Sequence, residues 1–384
     1  MVRSVDDADF LTTCRALAPA FAAAAEEGER LRRVPEPLMD EVRASGILGA
    51  VVPKSLGGHG LSFDTVFEGT RELARGCPSM AWAVSFLVIH AWMLTRFPAE
   101  SHDALFRSGK VPTAAAPLSP TGQLRQVEGG YVVSGRWDWA TSINNSDWCM
   151  VHGFDTGVEF GTRFAVLPVE QITVEDTWYM SGMRATGSNV VVVDDVFVPA
   201  AFTCSGNDLR EAGSAVPDDR HGRLPLLAAL ALLASSPAVG AAEAAVDLHR
   251  ARMSERVLAY TLGEKAADQP VAQARLAAVS SDLATTVAGW RAAIAELLTA
   301  QRPDDLLRVR TRLAAAAAVR SSRLIIGAIG EGAGASVYAS SHPLQRLQRD
   351  VETLKGHVVF DWDRATELAG RVMLGRPLLP TDLA

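Results

Sequence analysis

The sequence has four cysteines, Cys14, Cys77, Cys149 and Cys204, and no two stand in a CxxC pair. That spacing excludes a zinc knuckle or a disulfide framework, and it fits a reducing compartment. Basic charge is also scarce. Lys plus Arg number 37 against 44 Asp plus Glu, a net charge of −7, which leaves no footprint for nucleic acid. The start, "MVRSVDDADFLTTCRALAPAF", carries acids where a secretory leader needs bases, so a cytoplasmic protein is expected. A long uninterrupted apolar run is missing too. The best one, residues 224–246, is broken by Ser235, Ser236 and Pro237, short of the roughly 18 to 20 residues a membrane span needs. It is expected to be a helix buried on all sides. No repeat of solenoid length is present.

What is there is apolar residue in quantity: 48% of 384 residues, enough for more than one core. The pattern divides the chain in three. Residues 1–110 have apolar positions at three- and four-residue spacing and predict a helical domain. Residues 111–215 alternate in short runs, as in "QLRQVEGGYVVSGRWDWA" with Gly129-Gly130 as a turn, and predict a small antiparallel barrel or sandwich. Residues 216–384 predict four long helices, over 224–261, 269–300, 304–328 and 343–374, forming an antiparallel bundle. The class is α+β, with the strand domain inserted between helical parts that can pack together.

Five stretches carry possible chemistry. "GAIGEGAGAS", 327–336, has glycines enough for a dinucleotide loop, but follows a helical segment where that loop needs a strand; a helix–helix connection is expected. "SGRWDWATSINNSDW", 134–148, alternates so that Trp137, Trp139 and Thr141 share a face. An indole beside a hydroxyl suits a flat aromatic cofactor, although on residue types alone barrel core with a hydrophilic turn is the reading to prefer. "MAWAVSFLVIHAWMLTRF", 80–97, places Trp82, Phe86 and His90 on one helical stripe, which suits either a core or the wall of an aromatic pocket. "ARMSERVLAYTLG" sets Arg252, Arg256 and Tyr260 four residues apart, an ordinary solvated face or a phosphate clamp. "RLQRDVETLKGHVVFDWD", 346–363, reads as a helix with His357 on the face of Arg349 and Thr353.

Together these elements resemble the acyl-CoA dehydrogenase superfamily from about residue 25 to 380. The resemblance implies that fold: helical N-terminal domain, central antiparallel β-barrel, C-terminal four-helix bundle. It implies that Trp139 and Thr141, or Ser142 one residue on, contact a flavin. It implies a phosphate contact for Arg256, and "PLQRLQRDV" resembles the family's late Arg-x-x-Arg-Asp segment, here Arg346, Arg349 and Asp350. One departure matters. Dehydrogenases of the family carry a catalytic glutamate in the register where this chain has Val358, with His357 beside it. Asp218 and Asp219 stand several residues too early for the alternative glutamate position.

What remains is similar to the two-component flavin monooxygenases of the same fold. That likeness implies reduced FMN or FAD from a separate reductase, molecular oxygen as co-substrate, and hydroxylation of a phenolic or polycyclic aromatic through a flavin C4a-hydroperoxide. It implies a pocket of Trp82, Phe86, His90, His357 and Ser119, with His357 or His90 handling the substrate proton beside Thr141. A homotetramer is implied, and no metal. Three rivals stay open: a dehydrogenase with an unrecognised base, an N-oxygenase of an amine or amino sugar, and a flavin-binding scaffold without turnover.

Overall fold

The computed structural model of the chain describes residues 6–214, 216–259, 261–379 and 382. Five helices come first: α1 (Asp7–Leu31), α2 (Glu36–Ser45), α3 (Phe63–Ala74), α4 (Pro78–Leu94) and the short α5 (His102–Leu105). Each long one starts on a recognisable signal. Asp6 accepts the N–H of Asp9 at 2.8 Å ahead of α1, and Pro78 opens α4, where its missing N–H is no loss. Every residue of α4 is buried.

Eight strands follow: β1 (Ala114–Ala115), β2 (Gly122–Val127), β3 (Gly130–Ala140), β4 (Trp148–Asp155), β5 (Thr162–Pro168), β6 (Thr173–Glu175), β7 (Asn189–Pro199) and β8 (Thr203–Ser205). They form one sheet in the order β6-β7-β3-β2-β4-β5-β8, with β1 beside β4. The expected all-antiparallel barrel is corrected to a mixed sheet whose ordering ends on β6 and β8. The β2–β3 hairpin reverses the chain and the Ile143–Asn145 turn reverses it again. β4 therefore runs in the sense of β2, and on pairing with it the two are parallel. The hairpin turn is Glu128-Gly129, one residue before the expected pair, with Gly129 at φ +78°.

The C-terminal half holds α6 (Leu226–Glu255), α7 (Pro270–Thr299), α8 (Asp305–Ala333), α9 (Pro343–Leu354) and α10 (Trp362–Met373). Ser235, Ser236 and Pro237 do not interrupt α6, which runs through them with both serine hydroxyls donating back to the Leu232 carbonyl. α6 and α8 are each long and apolar enough to cross a membrane. The apolar window of α6 is 89% buried inside the protein and that of α8 50%. The glycine run 327–333 continues α8 rather than leaving it, and the helix stops only at Gly334, φ +80°.

The largest departure from expectation is the last helix. One helix over 343–374 is in fact two, α9 and α10, parted by a 3₁₀ turn at Val358–Phe360. Gly356 and the β-branched pair Val358-Val359 weaken the helix there, and Asp361 caps the next one by accepting the N–H of Arg364. His357 therefore lies in a break at φ −67°, ψ 136°, and not on the helical face of Arg349 and Thr353. A single hydrophobic core joins α1, α3 and α4 to α6, α7 and α8, and the sheet has its own. Arg71 of α3, buried, bonds Glu68, Glu72 and Glu243 of α6 across that junction.

Candidate functional site

Where the sheet meets the two helical halves they enclose a cavity of about 420 Å³. Such a volume suits a drug-sized ligand. α4 supplies Trp82 and Phe86, which stack at 4.4 Å between centroids. The break after α9 supplies His357, edge to face with Trp82 at 5.4 Å. The end of β3 supplies Trp139 and Thr141, and the approach to β7 supplies Thr186 and Ser188. Sequence alternation put Trp137, Trp139 and Thr141 on one face, which the structure corrects. A bulge between Trp137 and Ala140 and a φ of +65° at Trp139 flip the register. Trp137 is locked in the sheet, giving its Nε1–H to the His152 carbonyl at 2.5 Å, while Trp139 is 65% exposed at the cavity.

Four polar groups along one wall form a chain whose direction is fixed. The Thr186 hydroxyl donates to the Met183 carbonyl at 3.0 Å, which uses its only hydrogen. It must therefore accept from Ser188, 2.8 Å away, and Ser188 in turn accepts from Thr141 at 3.0 Å. Trp82 Nε1–H, a donor only, reaches Thr141 at 3.5 Å. Thr141 thus spends its hydrogen inside the wall and offers the cavity a lone pair. Thr186 and Ser188 went unremarked in sequence. The signal was there in "ATGS": Gly187 has φ +53°, and a Cβ on it would sit 2.7 Å from the Arg32 carbonyl, so the two hydroxyls flank a forced turn.

The two candidate histidines hold opposite tautomers. His357 Nδ1 accepts the N–H of Val359 at 3.3 Å, so the neutral ring carries its proton on Nε2. His90 Nδ1 lies 2.8 Å from the Ala114 carbonyl and must be the protonated nitrogen, which leaves its Nε2 bare, buried and without a partner. Burial pushes both imidazoles down to about 4, and for His357 the Arg312 charge adds to it. Both are neutral near pH 7. His357 lines the cavity; His90 is fully buried behind Phe86, rings 5.4 Å apart, and is not among the lining residues.

The remaining expected residues divide. Ser119 lines the cavity. Ser142 does not: it is buried at φ +60° and donates to the Ala83 carbonyl at 3.2 Å. Arg256 is not on the cavity either. α6 ends before it, and its guanidinium clasps the Gly332 and Ala333 carbonyls at the end of α8, both at 3.1 Å. The row expected through Tyr260 is not continued, and Tyr260 itself lies outside the described residues. Arg349 bonds the Ser181 carbonyl at 2.6 Å and pairs with Glu29 at 2.7 Å, while Asp350 accepts the Met183 N–H at 2.6 Å. Together they anchor the loop that carries the hydroxyl chain. Arg346 is not among the lining residues.

Among the described lining residues the one carboxylate is Asp138, which is exposed. Val358, which the resemblance sets in the register of the dehydrogenase glutamate, lines the cavity. Asp218 is spent on Ser55 and Asp219 on Trp92 and the His221 N–H. Flat apolar walls from Trp139, Trp178 and Met183, edged by the Thr141 and Ser188 oxygens, fit an isoalloxazine ring. An exposed indole held at positive φ, uncovered by the chain's own core, has the surface such a ring would stack on.

Residues 5–104 match the family model described as "Acyl-CoA dehydrogenase, N-terminal domain", and residues 232–362 that described as "Acyl-CoA dehydrogenase, C-terminal domain". The chain is 32% identical over 381 residues to a pigment production hydroxylase of Rhodococcus sp. (strain ATCC 21145), covering 96% of this chain and 97% of that one. It is 30% identical to the flavin-dependent monooxygenase oxygenase subunit HsaA of Rhodococcus jostii (strain RHA1), covering 95% and 98%. The solved structure of XiaF from Streptomyces sp. in complex with FADH2 and glycerol superposes with a TM-score of 0.90 at 27% identity, covering 98% and 97%. With no carboxylate base in the dehydrogenase register and a flavin-shaped wall, the chain belongs to the acyl-CoA dehydrogenase superfamily, as an oxygenase component of the flavin-dependent monooxygenases.

Proposed function

We propose that the chain hydroxylates a phenolic ring, using reduced flavin delivered by a separate reductase. Bound reduced flavin would supply the electrons that activate oxygen. Trp139 and Trp178 would flank its ring, and Thr141 would accept a hydrogen bond from its edge. The observation that carries the reading is the His357 tautomer: a neutral ring with its proton on Nε2, carried by a residue that lines an aromatic-walled cavity.

That tautomer changes the role expected for the histidine. Nε2 already holds a proton, and protonating Nδ1 would set two N–H groups against each other at Val359. His357 is therefore a hydrogen-bond donor to the substrate oxygen and not the group that takes its proton. A donor there, with the Arg312 charge nearby, favours the phenolate over the phenol and so makes the ring carbon more nucleophilic. Trp82 and Phe86 hold the ring flat, and the apolar walls keep water from the reacting atoms. His90 shapes the wall from behind.

The three regions 1–110, 111–215 and 216–384 serve this reading as helical base, flavin-facing sheet and a bundle whose fourth leg is α9 with α10. A homotetramer in the cytoplasm is what the family resemblance supports. Single turnover of the protein with reduced flavin, oxygen and a phenol tests the proposal. A catechol product supports it. Bleaching of oxidised flavin by acyl-CoA, with no oxygenated product from any phenol, returns the chain to dehydrogenase chemistry.

A further inference from the structure

One wall of the cavity belongs to no strand or helix. It is the stretch between β1 and β2, residues 116–121, of which Pro117, Leu118 and Ser119 line the cavity. Pro117 and Pro120 have no N–H, so the stretch cannot pair as a strand. Its far end is tied by the Thr121 hydroxyl, which donates to the Arg136 carbonyl at 2.8 Å. Its middle is tied by a side chain from β4: Nδ1 of His152 lies 2.8 Å from the Leu118 carbonyl. A carbonyl only accepts, so Nδ1 carries the proton of the neutral ring.

His152 is buried and is not itself among the lining residues. Its ring lies flat on Phe164, its partner across the β4–β5 pair, with centroids 3.9 Å apart and planes 3° from parallel. Phe164 lines the cavity. One imidazole therefore backs two pieces of wall, Leu118 through its N–H and Phe164 through its face. Its own place is fixed, since its carbonyl holds the Trp137 N–H. The other ring nitrogen, Nε2, is buried without a partner. A Cβ at position 206 would stand 3.1 Å from it, so Gly206 leaves the ring its room. An aliphatic side chain would pack there without the cost of an unpaired nitrogen. What histidine adds is the N–H to Leu118. Burial, joined by the Arg210 charge, holds the ring down to about 4, so this N–H stays in place near pH 7.

We propose that His152 is a positioning residue, which holds Leu118 and Phe164 against the substrate ring and so sets how that ring faces the flavin. The inference rests on the phenolic reading above and adds a residue that acts through the wall, touching neither substrate nor flavin. The step it serves is oxygen transfer. With the ring in place, one oxygen atom goes to the ring carbon and the other leaves as water. When the wall drifts and the ring turns away, both atoms leave as hydrogen peroxide. In either case the reduced flavin gives up its electron pair, and only the first case yields product.

Three proteins decide it: the unaltered chain, His152→Leu, which keeps bulk and loses the N–H, and His152→Asn, whose amide N–H can sit where Nδ1–H was. Hydrogen exchange of the peptide covering residues 116–121, followed by mass spectrometry without flavin, reads the wall. Turnover of 4-methylphenol and of 2-naphthol with reduced FAD reads the consequence. In His152→Leu the peptide should exchange about tenfold faster and KM for the phenol should rise about tenfold, the equivalent of one buried hydrogen bond. The ratio of product to peroxide should fall with it. Reduced FAD should bind as before, which shows that the variant is folded. His152→Asn should bring exchange and KM back to within about threefold of the parent. Unchanged exchange in His152→Leu overturns the anchor. Faster exchange with unchanged KM and product ratio overturns the positioning role. Asn and Leu equally impaired would make bulk and not the N–H the cause, and overturns it as well. If His152→Leu does not fold, His152→Gln, whose amide stands one bond too far out for Leu118, is read in its place. If exchange responds as expected and the unaltered protein converts neither phenol, the phenolic reading falls and the anchor stands.

Discussion

The indole of Trp82, from the fourth helix, and the imidazole of His357, from near the end of the chain, meet edge to face with centroids 5.4 Å apart. They join the two halves of the protein at the cavity. Trp82 also reaches the Thr141 hydroxyl, so one contact links the group that would hold the substrate to the wall that would hold the flavin.

His357→Asn tests the donor role. An asparagine side-chain oxygen can still accept the Val359 N–H, so the 3₁₀ turn should survive. The donor reaching into the cavity is shortened and re-aimed. Hydroxylation should fall about a hundred- to a thousandfold, as when one oriented donor is lost. Hydrogen peroxide release should rise in its place. The check is the ratio of hydroxylated product to peroxide, which an idle His357 would leave unchanged. Raising the pH should narrow the deficit, because solvent then supplies the phenolate.

Ser188→Ala tests the hydroxyl chain. Without Ser188 the Thr141 hydrogen has no acceptor at 3.0 Å and is free to turn into the cavity. Reduced flavin carries an N–H on its central ring where oxidised flavin has a bare nitrogen. The variant should therefore favour oxidised flavin more than the parent does. The ratio of the two dissociation constants should shift by roughly three- to tenfold, the size of one neutral hydrogen bond. Anaerobic titration of each redox form gives both constants, and an unmoved ratio removes Ser188 from the account.

Arg256→Ala should cost stability before it costs flavin binding. Its two bonds to the end of α8 are charge-assisted and contribute about 1.5 to 3 kcal/mol together. Denaturant unfolding measures the loss. A tenfold or greater loss of flavin affinity at unchanged stability would restore the phosphate contact that the resemblance implied.

Acid should destabilise the fold well above the carboxylate range. Burial holds His90, His152, His221 and His357 down to about 4, below the ordinary imidazole value of 6.5. The unfolded chain takes up these protons first, so stability is lost as pH falls from about 6.5 toward 4. Asp350, pushed up to about 7 by burial, works the other way, since its ionised form burdens the folded state as pH rises. Burial also lowers His59, His102, His249 and His342 and raises Asp219, so eight histidines oppose two carboxyls, and the unfolding temperature at pH 5 should lie below that at pH 7. The reverse order would mean that these rings are charged in the folded protein.

Much of this was legible in the sequence, and the misses share a cause. The period of the apolar residues placed the course of α7 within a residue, a helix expected over 269–300 and found over Pro270–Thr299. The stripe of Trp82, Phe86 and His90 was read correctly as a helix face, but spacing could not tell that Phe86 screens His90 from the cavity. Alternation failed at Trp139 because a bulge with positive φ is a tertiary feature, set by the strand it pairs with. His357 reached the cavity for a reason other than the one its spacing suggested: the helix breaks there, and the break aims the ring. The arginines that clasp carbonyls, Arg256 and Arg349, look the same in sequence as arginines that clasp phosphate.

The central claim is that oxygen from the gas phase enters an aromatic substrate in this cavity. The direct measurement is the mass of the product formed in a single turnover with reduced flavin, a bound phenol and isotopically labelled dioxygen. The account predicts one labelled oxygen atom per molecule of product, and far less product when His357 is Asn. Product carrying oxygen only from water, or oxidation that proceeds without dioxygen, would contradict it.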